Sequence, residues 1–214
     1  HESTIMNEPN HPMDIDNPRL TRRTVLRALA GAAAMGTAWP MAGRGLGAEL
    51  RGHINHSVSH WCFAPYLEQA KISFDQFAAA CARMGIKSIE LVAPDLWPTL
   101  KAHGLICAMS VPASMRGLNR VEGHDEYLAA VRQCIDVTSE AKFPGVVVVS
   151  GQSAGMDDQE GLKNCVIGLK KIAGYAEQKK VTVSLELLNS IDHKDYMADS
   201  TRWCVEMAKQ VGSP

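Results

Sequence analysis

Several things are scarce in this 214-residue sequence, and each absence closes off a class of function. An excess of one charge is missing: 22 Lys plus Arg against 23 Asp plus Glu leave a formal net charge of −1. No overall field draws in nucleic acid or an anionic membrane, so neither is an expected partner. The six cysteines (Cys62, Cys81, Cys107, Cys134, Cys165 and Cys204) include no CxxC pair and no short zinc-type spacing. Several fall on apolar helix faces or inside strands, where buried free thiols are the expected state. A glycine-rich phosphate loop is missing as well. Gly151-Gln152-Ser153-Ala154-Gly155 lacks both the P-loop lysine and the dinucleotide spacing, so nucleotide binding has little support. Long apolar runs are also missing. The stretch from Ala28 to Ala42 is broken by Gly31, Gly36 and Pro40 and is too short for stable membrane insertion.

What is present is an ordinary globular composition, 46% hydrophobic and 21% charged, long enough for one domain with a sizeable core. The first part reads differently. Residues 1–20 are polar and rich in Pro and Asn, and Thr21-Arg22-Arg23-Thr24-Val25-Leu26-Arg27 then leads into the small-residue apolar run. Paired arginines ahead of a modest apolar stretch are the signature of a twin-arginine signal, the route that exports folded proteins. Residues 1–48 are therefore expected to be an N-terminal extension and signal peptide, cleaved after Ala42 or Ala48, and the mature chain periplasmic or extracellular.

From residue 53 onward, short β-rich runs alternate with longer helical patterns, the form taken by consecutive βαβ units and a parallel sheet. Strands are predicted within 53–63 and over 88–92, 105–111, 145–150 and 181–188. Helices are predicted over 74–84 behind a Ser73 N-cap, and over 95–103, 124–142, 158–179 and 199–210. The run Gly145 to Ser150 reads Gly-Val-Val-Val-Val-Ser, as in a strand covered on both faces. Five strands and about five helices suit either a doubly wound sheet or most of a (β/α)₈ barrel, and pattern does not separate them.

In both folds the chemistry sits at the C-terminal strand ends. The polar groups there are Asn55, His56, His60 and Trp61 on the first strand, Glu90 on the second, Ser110 on the third, Ser150 and Gln152 on the fourth, and Glu186 and Asn189 on the fifth. Glu186 carries the most information. It lies inside an apolar strand, where a buried charge costs several kcal/mol unless it is paired or metal-bound, and the core strands supply no cation. Glu90 is a second carboxylate in an apolar strand, either a substrate contact or a group satisfied by His60 or Lys87. His60-Trp61-Cys62-Phe63 suits the wall of a small polar pocket, with core packing of Trp61 the alternative. Asn189-Ser190-Ile191-Asp192-His193-Lys194-Asp195-Tyr196 is a polar loop at the same rim, either solvated or holding a hydroxylated ligand. His103 and His124, near helix ends, read as surface residues.

Ser184-Leu185-Glu186-Leu187-Leu188-Asn189-Ser190, followed by Asp192-His193, Tyr196-Met197 and Gly212-Ser213-Pro214, resembles the hydroxypyruvate isomerase group of the xylose-isomerase-like barrels. Trp61-Cys62-Phe63, Ile89-Glu90-Leu91 and the strand 145–151 are similar too, and the resemblance covers residues 53–214. It implies an α/β protein of the (β/α)₈ TIM barrel class, with about five of the eight βα units present here. It also implies one divalent metal ion (Mg, Mn, Co or Zn) and a small sugar or keto acid isomerised through an enediolate. Glu186 would then be both metal ligand and catalytic acid/base, with His60, Trp61, Glu90, Asn189 and His193 on the substrate side. The other ligands of such a site lie on strands beyond the fifth. A sheet lacking those strands is expected to leave an open edge and exposed core, and so either to be poorly soluble or to assemble with another copy as a homo-oligomer. A ketose epimerase, or an exported carbohydrate-binding protein without catalysis, fits the same scaffold.

Overall fold

The computed structural model describes residues 54–213. The leader expected over 1–48 lies outside the described residues. β1 (Ser57–Ser59) runs into a 3₁₀ turn (His60–Cys62), then α1 (Ala64–Gln69), α2 (Phe74–Arg83) and β2 (Ser88–Glu90). A 3₁₀ turn (Pro94–Leu96) leads into α3 (Trp97–Ala102). The long α4 (His124–Ala141) precedes β3 (Gly145–Val148), and α5 (Asp158–Lys179) precedes β4 (Thr182–Leu185) and α6 (Thr201–Val211). The predicted helices form within two residues of their expected ends, apart from the 3₁₀ start at 94–96. The short α1, opened by Pro65, was not anticipated from the apolar spacing.

Local chemistry sets these boundaries. Ser73 closes a capping box with Gln76 at the start of α2, which satisfies two backbone donors that a helix start leaves free. The Asp157 carboxylate accepts the N–H groups of Gln159 and Glu160 to start α5. Lys142, Lys180 and Gly212 end α4, α5 and α6 in the left-handed conformation, the usual way a helix turns its last carbonyls to new donors.

The predicted third strand does not form as a regular strand. Residues 105–111 instead stitch two two-stranded parallel sheets together through single bridges, Ile106 to Ser88 and Ser110 to Val146. The reason lies in the middle of the segment. The Ala108 N–H bonds to the Ser88 side-chain oxygen at 2.8 Å instead of to a backbone carbonyl, and Leu91 opposite takes a left-handed φ of 57°. Backbone bonds resume on both sides, Ile89 N–H to Ile106 O at 3.1 Å and Val147 N–H to Ser110 O at 2.9 Å. The parallel order is therefore β1, β2, segment 105–111, β3, β4, each next to its successor in the chain. A doubly wound sheet reverses direction after its first strands. No reversal occurs among the described residues, and sequential addition is how barrel strands follow one another.

Helices cover the sheet and make two apolar clusters. One gathers Tyr127, Val131 and Ile135 of α4, Val146 and Val148 of β3, and Leu162, Cys165 and Ile172 of α5. The other gathers Leu67, Phe77, Cys81, Ile89, Trp97, Leu100 and Phe143. All six cysteines are free, four of them buried, with Cys62 exposed and Cys204 half-buried. Burial pushes the thiols of Cys81 and Cys134 up to about 11 and that of Cys165 to about 12, so these act as small apolar groups.

On its far side β4 has no partner strand among the described residues. An apolar groove of about 690 Å³ lies there, lined by Ile172, Val183, Leu185, Leu187, Val205 and Met207. Among the described residues β4 is therefore an edge of the sheet. Helix α5 also offers a simple stability test. Gly174 sits on its exposed face, with nothing within 4 Å of where a Cβ would stand. Gly174→Ala should raise the unfolding free energy by about 0.5–1 kcal/mol, read as a shift of the denaturation midpoint at unchanged m-value.

Candidate active site

The C-terminal ends of the parallel strands collect most of the residues singled out from sequence. His60 and Trp61 form the turn directly after β1. The His60 ring packs edge-on against Phe74 at 5.1 Å and at a tilt against Phe77 at 5.8 Å. Burial pulls its pKa below the ordinary 6.5, which favours neutral imidazole. Trp61 is 66% exposed, so core packing does not explain it. An exposed indole at a strand end is an apolar platform beside the site.

Glu90 is the last residue of β2 and Glu186 follows the last residue of β4. Both are half-buried. No salt bridge or side-chain hydrogen bond reaches either carboxylate among the described residues, so neither His60 nor Lys87 satisfies Glu90. The backbone of Glu186 is held firmly: its N–H donates to Val148 O at 2.9 Å and its carbonyl accepts from the Tyr196 hydroxyl at 3.0 Å. Glu186 is thus a half-buried carboxylate on a fixed backbone at a strand end, a position from which a general acid or base can act.

The rim loop after β4 is ordered by its own bonds. The Asn189 side-chain carbonyl accepts from Ile191 N–H at 3.0 Å and Asp192 N–H at 2.9 Å, and its amide faces the Asp192 carboxylate at 3.2 Å. Asn189 therefore closes a turn. His193 is exposed, and its backbone N–H bonds to Asn189 O at 3.1 Å. Asp195, at a φ of 68°, accepts the Ser153 hydroxyl and the Ala154 N–H, and these bonds hold its carboxyl below the usual 3.8. They tie the loop after β4 to the loop after β3.

Sequence reasoning missed most of this scaffold. His124, read as a surface residue, is fully buried: its Nε2 lies 2.7 Å from Leu118 O, and Nδ1 has no partner among the described residues. His103 is paired with Asp75 at 2.8 Å. Ser150 is also fully buried, its hydroxyl accepting from Ala198 N–H at 3.0 Å, and Ser110 is buried as well. Asn119 and Arg120 clamp the loop after β3, donating to Gln152 O at 2.6 Å and Ser153 O at 3.0 Å. An aromatic residue inside the polar run 189–196 was the available sign that Tyr196 is anchored rather than solvated.

A divalent ion needs three or four converging ligands. Among the described residues no group of three or more His, Cys, Asp or Glu side chains converges in that way. Glu186 supplies at most one ligand, and no complete metal site is formed by the described residues.

No family model matches the chain, and no curated protein matches it. Solved structures do. An AP endonuclease of family 2 from Brucella melitensis superimposes with a TM-score of 0.62 at 14% identity, over 75% of this chain and 66% of that one. D-psicose 3-epimerase from Clostridium cellulolyticum H10, solved with D-tagatose, gives 0.58 at 15% identity, over 74% and 60%. The IOLI protein with a bound zinc atom gives 0.58 at 17% identity, over 74% and 59%. The chain shares its α/β fold with these structures over about three-quarters of its length. At these identities the likeness concerns the fold alone. The chain spans about three-fifths to two-thirds of the length of the structures it matches.

Proposed function

We propose that this chain belongs to an isomerase or epimerase of small sugars or keto acids, with Glu186 as its proton-transferring carboxylate. The observation that carries this reading is Glu186 itself, a half-buried carboxylate without a cation partner, fixed at a C-terminal strand end of a sequentially ordered parallel sheet. Among similar folds, the D-psicose 3-epimerases were solved with D-fructose and with D-tagatose, which supports a polyhydroxylated or keto substrate.

The finer reading is interconversion of hydroxypyruvate and 2-hydroxy-3-oxopropanoate. The base removes a proton from C3 and leaves an enediolate, the hydroxyl proton of C3 passes to the C2 oxygen, and a proton is returned to C2. Charge and hydrogen count are unchanged. Glu186 would serve as the base, Trp61 as the apolar wall, and His60, Glu90 and His193 as polar contacts around the substrate. Asn189 would contribute by fixing the turn that presents His193. A divalent ion, one ligand of which would be Glu186, is part of the same proposal, supported by the zinc-bound structure of similar fold. No step is assigned to it.

The test is the full-length protein assayed with hydroxypyruvate and with ketoses, wild type against Glu186→Gln. A folded variant with undiminished turnover overturns the reading. The exposed Trp61 favours a second one, a carbohydrate-binding protein without catalysis. In that case sugar binding would persist in Glu186→Gln, disappear in Trp61→Ala, and no turnover would be found in either.

The proposal also places the mature protein outside the cytoplasm by the twin-arginine route. Replacing Arg22 and Arg23 together by lysine should retain the precursor in the cytoplasm. Cell fractionation reads the result, and unchanged export of the double variant would sink the assignment.

A further inference from the structure

In a parallel ladder the backbone bonds are evenly spaced, and each participating residue donates to one neighbour of its partner and accepts from the other. The β3–β4 register pairs Gly145 with Thr182 through to Val148 with Leu185. Thr182 N–H donates to Pro144 O at 2.8 Å, and four residues on Glu186 N–H donates to Val148 O at 2.9 Å. The next rung in this pattern would join Ser150 N–H to Glu186 O. It is not made directly. The Tyr196 hydroxyl stands between them, accepting from Ser150 N–H at 3.1 Å and donating to Glu186 O at 3.0 Å.

We infer that Tyr196 is a positioning residue for Glu186, its hydroxyl inserted as a spacer in the ladder so that β3 and β4 part at the rung bearing the carboxylate. The inference rests on the reading of Glu186 as the functional carboxylate. Two bonds of about 3 Å in series hold the Ser150 nitrogen and the Glu186 oxygen further apart than one direct bond of about 2.9 Å does. The separation falls at Glu186, and its neighbourhood is set by where the hydroxyl sits.

The hydroxyl has little freedom to sit elsewhere. Tyr196 is buried in the larger apolar cluster. Its backbone makes an antiparallel bridge to Gln152. On one side Asp195 is bonded to Ser153 and Ala154, and on the other Met197 N–H reaches Gly151 O at 3.0 Å. A tyrosine acting only as core filler needs none of these polar contacts.

The experiment compares Tyr196→Phe with Tyr127→Phe in the full-length protein. Tyr127 is also buried and its hydroxyl accepts from the adjacent Val149 N–H at 3.0 Å, but it does not bond to Glu186. The first readout is the ¹³C chemical shift of the Glu186 carboxyl at one fixed pH, which reports its surroundings, the second the split of any rate change between kcat and KM. Tyr196→Phe is expected to move the carboxyl signal and to lower kcat about tenfold or more with a smaller change in KM. Tyr127→Phe is expected to leave the signal in place. An unmoved signal in folded Tyr196→Phe, or equal changes in both variants, overturns the inference even if Glu186→Gln is inactive. A moved signal with Glu186→Gln fully active keeps the positioning and removes the catalytic reading instead. If Tyr196→Phe does not fold, 3-fluorotyrosine at 196 keeps ring and hydroxyl while strengthening the phenol as a donor. An unmoved signal there overturns the inference equally.

Discussion

Glu186→Gln is expected to lower turnover by about two to four orders of magnitude, the usual worth of a positioned acid/base group, while leaving the melting temperature unchanged or raised. The two halves of this result have one cause. The Glu186 carboxylate is half-buried beyond β4 and bonds to no cation among the described residues. The neutral amide keeps the shape, breaks no ion pair there, and removes the basic oxygen that accepts a proton. A structural glutamate would behave the other way, losing stability with little change in rate. Parallel measurement of kcat and of thermal unfolding on one preparation separates the two, and a large fall in melting temperature at preserved kcat would dismiss the catalytic role.

What the sequence made legible follows from the strength of its local signals. The helix 158–179 was read to its observed ends because an Asp at the N-cap and a change of pattern at the following strand mark both limits. The valine run after Gly145 was recognised as a fully covered strand, and all four residues of β3 are buried. Residues 105–111 were read as a strand with equal assurance, since nothing in Leu105-Ile106-Cys107-Ala108-Met109 announces that a serine side chain on β2 will capture the Ala108 amide. That bond joins groups 20 residues apart, and single-residue preference carries no trace of it. The choice between barrel and doubly wound sheet was hidden for a related reason, because strand order is a property of pairing and not of periodicity.

The candidate site divides along the same line. Carboxylates within apolar strands are visible in sequence because they break a hydrophobic pattern, so Glu90 and Glu186 stood out and the structure puts both at strand ends. Ser150, Asn119 and Tyr196 are polar groups satisfied by partners 33 to 48 residues away, and polarity alone does not distinguish them from ligand contacts. Asn189 shows the opposite case: a rim asparagine that looked available to a substrate, yet closes its own turn through two backbone amides. His124 was misjudged because a histidine at the first position of a helix is commonly solvated, whereas here it is shut in beneath Leu118 and faces Gly168, whose missing side chain leaves it room.

Gly117→Ala should be among the most destabilising single-methyl changes available in this chain, at about 3–5 kcal/mol, and should also reduce activity. Gly117 holds a φ of 98°, and a Cβ built there would lie 2.5 Å from Gly151 Cα, 2.6 Å from Gly151 N and 2.7 Å from Ser150 O. Left-handed backbone costs a residue with a side chain about 1–2 kcal/mol on its own. The overlap adds more, because all three neighbours are main-chain atoms at the end of β3 and cannot rotate away as a side chain would. Relief requires Ser150 and Gly151 to move. Ser150 N–H is the group bonded to the Tyr196 hydroxyl, and its side-chain oxygen accepts from Ala198 N–H, so the shift passes to the rung that carries Glu186. Gly123→Ala, where a Cβ meets nothing within 4 Å, is the matched control and should change unfolding by less than about 1 kcal/mol. Urea titration of both variants measures the stability difference, and turnover per folded molecule tells whether the movement reaches Glu186. Equal stability of the two would show that the end of β3 yields easily, and the close approach of the loops would then have no part in holding the site.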